Sequence, residues 1–362
     1  MNGRDRVFAA IEHNEPDRVP RDYWAPPEVT ERLCSELHIS GKEMLLQHFG
    51  VDLRYVEGPS YVGQDFRSYE DGSVEDLWGV RRQIKTVAQG AYQWRYKFVV
   101  ESPLAHLTLA NEVDAYEHWP SADWWDYSRL EKECERHRQF AVVNAGDRLD
   151  RTSQFKTMMY LRGMEQAYID LVANQKLAEA IIGRIRDYFL EYNERVFRAA
   201  RGAIDIFMMG DDFGTQNALM MNRETWRKLF RRGFRQFIDL AHSYDIKVMH
   251  HTCGAVSELM PEFIDAGLDI LQSLQPRAAG MELSALKKKY GKNIAFHGGI
   301  DIQESVPRGT PEQIRAHVRQ QLASGMAGGG YIVSSAHNIP AETPTENIVA
   351  LYDAYDRFGK YL

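Results

Sequence analysis

The chain has little of what marks several large classes of protein. Its 362 residues include three cysteines, Cys34, Cys134 and Cys253. That is too few for a disulfide framework, and a reducing compartment is the expectation. No stretch approaches about 18 consecutive apolar residues, so a membrane-spanning helix is not expected. The start, Met1-Asn2-Gly3-Arg4-Asp5, is charged and lacks the apolar run of a secretory signal, so a soluble cytoplasmic protein is expected. A basic block is missing too: 44 Lys+Arg against 51 Asp+Glu leave a net charge of −7. Without a concentrated cationic face, nucleic acid is not an expected partner. No G-x-G-x-x-G follows a strand-like run, and Gly328-Gly329-Gly330 precedes one, which argues against a dinucleotide-type phosphate turn.

What is there is enough apolar residue, 44%, to bury a large core. The chain reads as one domain, 1–362, in two textures. Residues 1–135 hold six of the seven tryptophans, with short alternating runs and loop signals. A helix is expected over 4–13 and a strand over 93–100. The segment reads as first barrel elements plus decoration at the entrance of the more regular second part. From residue 136 to 362, β-rich apolar runs alternate with helix-period segments, the signature of repeated βα units around a parallel sheet. The runs are 140–145, 204–209, 246–249, 268–271, 294–296 and 331–333; helices are expected over 177–197 and 225–241. Thr310-Pro311-Glu312-Gln313 and Thr343-Pro344-Thr345-Glu346 both read as capping boxes.

Polar residues gather directly after these runs: Gly210-Asp211-Asp212, His250-His251-Thr252-Cys253-Gly254, Gln272-Ser273-Leu274-Gln275, His297-Gly298-Gly299-Ile300-Asp301 and Ser334-Ser335-Ala336-His337. Chemistry at the C-terminal ends of successive parallel strands is how a (β/α)8 barrel, the TIM-type fold, builds its site. His251 and Cys253 stand two apart at a strand end, where side chains share a direction. Imidazole and thiol suit Zn2+, and a catalytic site takes three protein ligands. His337 is the strongest third ligand, with Asp301 and His297 behind it; a buried apolar Cys253 beside a core His251 is the plainer alternative. Of Asp211 and Asp212, one is expected to face the cavity as a base or as the partner of a ligand histidine, the alternative being a turn or cap carboxylate. Gln216, Gln275 and Asp301 are candidate substrate contacts, and Asp301 can equally cap the segment after it. Arg148, Arg151 and Arg162 can meet a carboxylate or phosphate, although arginine is usually a solvated surface residue.

Several motifs together resemble the uroporphyrinogen decarboxylase superfamily. They are Arg4-Asp5-Arg6-Val7 with Pro16-Asp17-Arg18-Val19-Pro20, Asp76-Leu77-Trp78-Gly79, and Gly210-Asp211-Asp212-Phe213-Gly214-Thr215-Gln216. His251-Thr252-Cys253-Gly254, Phe296-His297-Gly298-Gly299-Ile300-Asp301 and Thr343-Pro344-Thr345-Glu346-Asn347-Ile348 complete the set. The resemblance implies a (β/α)8 barrel and two broad chemistries. True decarboxylases of the heme pathway carry an R-Q-A-G-R-Y-like segment; here Asp17-Arg18-Val19-Pro20-Arg21-Asp22-Tyr23-Trp24 lacks its paired arginines and glycine.

The chain is therefore more similar to the cobalamin-dependent methyltransferase branch. That branch implies a corrinoid protein as partner, carrying methylcobalamin or cob(I)alamin, and a small methylated substrate. It also implies zinc held by an H-x-C pair and a later Cys, a position that falls at or near His337 here. His251, Cys253 and His337 are the resulting metal set, with Asp211, Asp212 and His337 as catalytic candidates. With one thiolate fewer, an O- or N-methyl substrate is expected rather than a thiol; without metal, His337 would instead serve as a general acid. No D-x-H-x-x-G motif is present, so the cobalamin is expected on the partner. A metal-free decarboxylase and a non-catalytic ligand-binding barrel are the alternatives, and a homodimer is left open.

Overall fold

The computed structural model describes residues 1–89, 92–145 and 152–361. Arg148 and Arg151 lie outside the described residues. Seven parallel strands form one sheet in chain order: Leu53–Val56, Ala141–Asn144, Ile206–Gly210, Lys247–His251, Ile270–Leu274, Ala295–Ile300 and Tyr331–Ser335. The gap between its first and last strands is spanned by residues 20–22. Val333 N–H donates to the Pro20 carbonyl at 2.9 Å, Asp22 N–H to Val333 at 3.0 Å, and Asp52 N–H to the Arg21 carbonyl at 3.0 Å. That extended stretch is the eighth stave of a (β/α)8 ring.

Period-2 side-chain direction splits the core into an inner and an outer layer. Leu53, Val143, Ile206, Met208, Met249, Ile270, Ala295 and Ile332 fill the inside, joined by Val7 and Ile11 of the helix Gly3–Ile11 and by Trp24. Phe207, Met209, Val248, Leu271, Phe296 and Val333 face the surrounding helices. In the strand Lys247–His251 the same alternation sends Met249 and His251 inward and His250 outward.

The helix expected over 177–197 is Gln175–Ala200, and Leu177, Ile181, Ile185, Tyr188, Tyr192 and Val196 are buried along it. The segment expected as one helix over 225–241 is two, Arg223–Leu229 and Arg231–His242, with φ −111° at Phe230 between them. Phe230 turns its ring into Phe155 and Phe213 at 5.5 and 5.7 Å, and that packing interrupts the run. The Thr310 capping box forms, with Thr310 accepting from Gln313 N–H. The Thr343 one does not: the helix Thr345–Phe358 has Pro344 in extended geometry at its cap position, which leaves Thr343 one residue too early, its hydroxyl buried without a partner among the described residues.

The first 135 residues contribute two staves, residues 20–22 and Leu53–Val56, and the strand expected over 93–100 is Tyr92–Glu101, paired with Arg81–Gln89. Much of the remainder packs on the helix Gln175–Ala200: Trp78 meets Tyr188 at 5.2 Å, Trp125 meets Tyr192 at 5.3 Å, and Arg195 pairs with Asp123 at 2.6 Å. Among the described residues, no helix is long and apolar enough to cross a membrane.

Candidate metal centre at the strand ends

The strand Lys247–His251 delivers His251 into the ring, and two residues later Cys253 returns to the same side. His337 arrives from two residues beyond the strand Tyr331–Ser335. One ligand atom from each of His251, Cys253 and His337 lies within 4.8 Å of the other two. Cys253 Sγ stands 3.5 Å from His251 Nε2. The other nitrogen of His251, Nδ1, is bonded to Gln272 Oε1. As an acceptor, that amide oxygen fixes the proton on Nδ1 and leaves Nε2 with its lone pair toward the cluster.

Two imidazoles and a thiol are a donor set that suits Zn2+ with a fourth position open. Charge in the site agrees with that role. Burial, with the neighbouring His251, pushes the His337 ring down to about 4, and burial likewise lowers His251. Both rings are therefore neutral near pH 7 and present lone pairs. Burial pushes the Cys253 thiol up to about 12, with the Asp212 carboxylate adding to the effect. A bound metal cation would reverse that, by favouring the thiolate.

Asp212 faces the cluster, as one of the two aspartates was expected to. Its Oδ1 accepts from Cys253 N–H at 2.9 Å and stands 3.7 Å from His251 Nε2. Burial raises its carboxyl, but the His251 ring and the Cys253 N–H outweigh it, and the net shift is downward. Asp211 points the other way. It accepts three backbone N–H bonds, from Gln154 at 2.8 Å, Phe155 at 2.6 Å and Lys156 at 2.9 Å, and so anchors the start of the helix Phe155–Arg162. Burial pushes it up to about 7 against those three donors. Its position is that of a cap carboxylate rather than of a catalytic group.

The remaining candidates already have partners within the fold. Gln275 Oε1 accepts from Gly254 N–H at 2.9 Å and holds the loop after Cys253. Gln216 is exposed and donates to the Arg277 carbonyl at 2.6 Å. Asp301 is buried and caps the turn after its strand, accepting from Gln303 and Ser305 N–H at 2.9 and 3.1 Å; the capping alternative holds there. Arg162 is not available to a substrate: it is buried on Asp170 at 2.6 Å and on the carbonyls of Leu104 and Ala105 at 2.6 and 2.7 Å. His297 Nε2 is engaged by Asp22 at 2.9 Å and does not join the cluster.

Sequence reasoning placed Gln272 in the strand-end set without giving it a role, and missed Lys156 and Trp24. Lys156 lies near enough for its charge to lower Asp212, His251, Cys253 and His337. It is the second residue of the helix that Asp211 anchors from 55 positions away, and no local signal marks it. Trp24 stacks on His251, centroids 5.7 Å apart and planes at 16°; nothing local in the sequence sets it apart from the other tryptophans.

Comparison with known proteins agrees with this architecture. A methylated-thiol–coenzyme M methyltransferase of Methanosarcina mazei is 24% identical over 199 residues, 55% of this chain and 50% of that protein. The chain thus matches about half the length of that relative. A solved methyltransferase from Methanosarcina mazei superposes with a TM-score of 0.67 at 15% identity, covering 99% of each chain, a likeness in fold. The uroporphyrinogen decarboxylase (URO-D) family model matches residues 151–358, more than half of the sequence and every strand end that builds the His251/Cys253/His337 cluster, and the chain belongs to that family.

Proposed function

We propose that this chain is a methyltransferase that moves a methyl group between a small O- or N-methylated substrate and a corrinoid protein. The carrying observation is the convergence of His251, Cys253 and His337 within 4.8 Å at the C-terminal end of the barrel. The methyltransferase relative and fold neighbour support the same reading. Zn2+ held by these three side chains would supply a Lewis acid beside the heteroatom that gains or loses the methyl group. The methylcobalamin or cob(I)alamin that exchanges the methyl group is assigned to the partner protein.

The protein's own groups then have distinct tasks. His251 offers Nε2 because Gln272 engages Nδ1. Cys253 supplies the one anionic donor and gives up its proton on taking that role. His337, neutral at working pH, is better suited to ligation than to proton donation. Asp212, held low by His251 and Cys253 N–H, is an anion at neutral pH. In the methylating direction it can accept the proton that an incoming hydroxyl or ammonium group gives up; in the demethylating direction it can accept a hydrogen bond from the O–H or N–H of the released product. A His/Cys/His set carries one thiolate fewer than a His/Cys/Cys set, which makes the site a stronger electrophile and favours oxygen or nitrogen over a thiol.

The test is methyl exchange with free methylcobalamin, followed by its visible spectrum, against phenols, amines and thiols of similar size. The reading expects loss of the methylcobalamin spectrum with an oxygen or nitrogen acceptor, and none in a Cys253→Ser variant. Exchange with thiols alone would overturn the substrate assignment. No exchange with any acceptor or with a corrinoid protein would overturn the activity.

A further inference from the structure

We infer that Asp22, Trp24 and His297 form a positioning network that fixes His251 for its place in the His251/Cys253/His337 cluster. The inference rests on reading that cluster as a metal site. Asp22 sits on the eighth stave and is 1% exposed. Four donors converge on its carboxylate. Oδ2 accepts from Tyr55 O–H at 2.6 Å, from Trp24 Nε1 at 2.9 Å and from His297 Nε2 at 2.9 Å, while Oδ1 accepts from Tyr23 N–H at 2.7 Å. These donors come from three separate parts of the ring, the stave itself, the strand Leu53–Val56 and the strand Ala295–Ile300. At the gap between the sheet's first and last strands, which residues 20–22 bridge, a buried carboxylate with this many donors adds a side-chain tie to the three backbone bonds.

The consequence for the cluster runs through Trp24. Its N–H is also 2.9 Å from the Tyr55 hydroxyl, so the indole is pinned at its polar edge and fully buried. An indole has one donor and no acceptor; once that donor is committed, the ring plane is set. Its face lies against His251 at 5.7 Å and 16°, and His337 meets it edge-on at 6.3 Å and 72°. His251 is thus held twice, at Nδ1 by Gln272 and over its ring face by Trp24. Only Nε2 is left, directed at Cys253 Sγ 3.5 Å away. His297 is equally defined by this network: its Nε2 is spent on Asp22, so it serves as a strut. Groups that orient a ligand imidazole typically change metal affinity by about 10- to 100-fold when removed.

The experiment is Co2+ titration of chelator-treated protein, read by the visible absorption of bound cobalt, for the unaltered chain and Trp24→Leu, Trp24→Phe and His297→Gln variants. Thermal unfolding is recorded beside each titration. The network predicts that Trp24→Leu weakens Co2+ by about 10- to 100-fold and alters the shape of its spectrum. Trp24→Phe, which keeps a ring face but loses the N–H, should fall between, as should His297→Gln. If Trp24→Leu fails to fold, the other two variants carry the test. Co2+ affinity and spectrum unchanged in all folded variants would overturn the network while leaving the metal site standing. An unaltered chain that binds no Co2+ would instead overturn the metal reading, and this role with it.

Discussion

Asp211 and Asp212 are adjacent in sequence and point to opposite sides of one strand end. Asp211 lies under the N–H groups of Gln154, Phe155 and Lys156, whereas Asp212 lies 3.7 Å from His251 Nε2. Their substitutions should therefore separate stability from chemistry. Asp211→Asn replaces one of the two oxygens that accept from these N–H groups with an NH2 donor and should cost about 2 kcal/mol in urea unfolding. Asp212→Asn keeps an acceptor for Cys253 N–H and should leave the urea midpoint near that of the unaltered chain. Its methyl-exchange rate should fall about tenfold or more. The reverse pattern would mean that the two roles are misassigned.

His250 gives a prediction about acid. Its ring is buried among Phe213, Phe234 and Phe263, with centroids 5.9, 4.8 and 5.4 Å away, and neither nitrogen has a partner among the described residues. Burial, with His251 beside it, pushes the ring down to about 3. The folded protein keeps it neutral while the unfolded chain protonates near its ordinary value of about 6.5. Its contribution is therefore fully present above about pH 6.5 and is lost as pH falls from there toward 3, by about 1 kcal/mol per pH unit. Between about pH 7 and pH 5, His250→Leu should lose about 2 kcal/mol less stability than the unaltered chain. Equal losses in guanidinium unfolding would contradict this placement.

Arg162 is predicted to matter for folding and not for substrate. Its guanidinium and Asp170 are both nearly fully buried, 2.6 Å apart. Removing one partner strands the other charge, at a cost of about 3–5 kcal/mol. Arg162→Met should lower the urea midpoint strongly, and Arg162→Met with Asp170→Leu should recover much of it. A variant of unchanged stability whose KM alone rises would restore Arg162 to the substrate site.

The later part of the fold was legible because its strands are buried on both faces and read as continuous apolar runs. Six of the eight staves announce themselves in that way. Residues 20–22 do not, because Pro20, Arg21 and Asp22 carry no apolar run and join the ring through three backbone bonds. Leu53–Val56 is hidden by Arg54, whose side chain turns outward to Glu43 at 2.9 Å. At the site, His251 and Cys253 follow from strand periodicity, and His337 from its place after another strand-like run, to which the family resemblance also points. Trp24, Gln272 and Lys156 depend on contacts between residues far apart in the chain, such as the Asp22–His297 bond across 275 positions, which no local pattern encodes.

The central claim is that His251, Cys253 and His337 hold a metal, and metal content per chain tests it most directly. Protein grown with zinc and purified without chelator should carry about one zinc per chain. Cys253→Ser and His337→Ala, each still folded, should carry well under half of that. A folded, unaltered chain with no zinc, or variants that retain it in full, would contradict the claim.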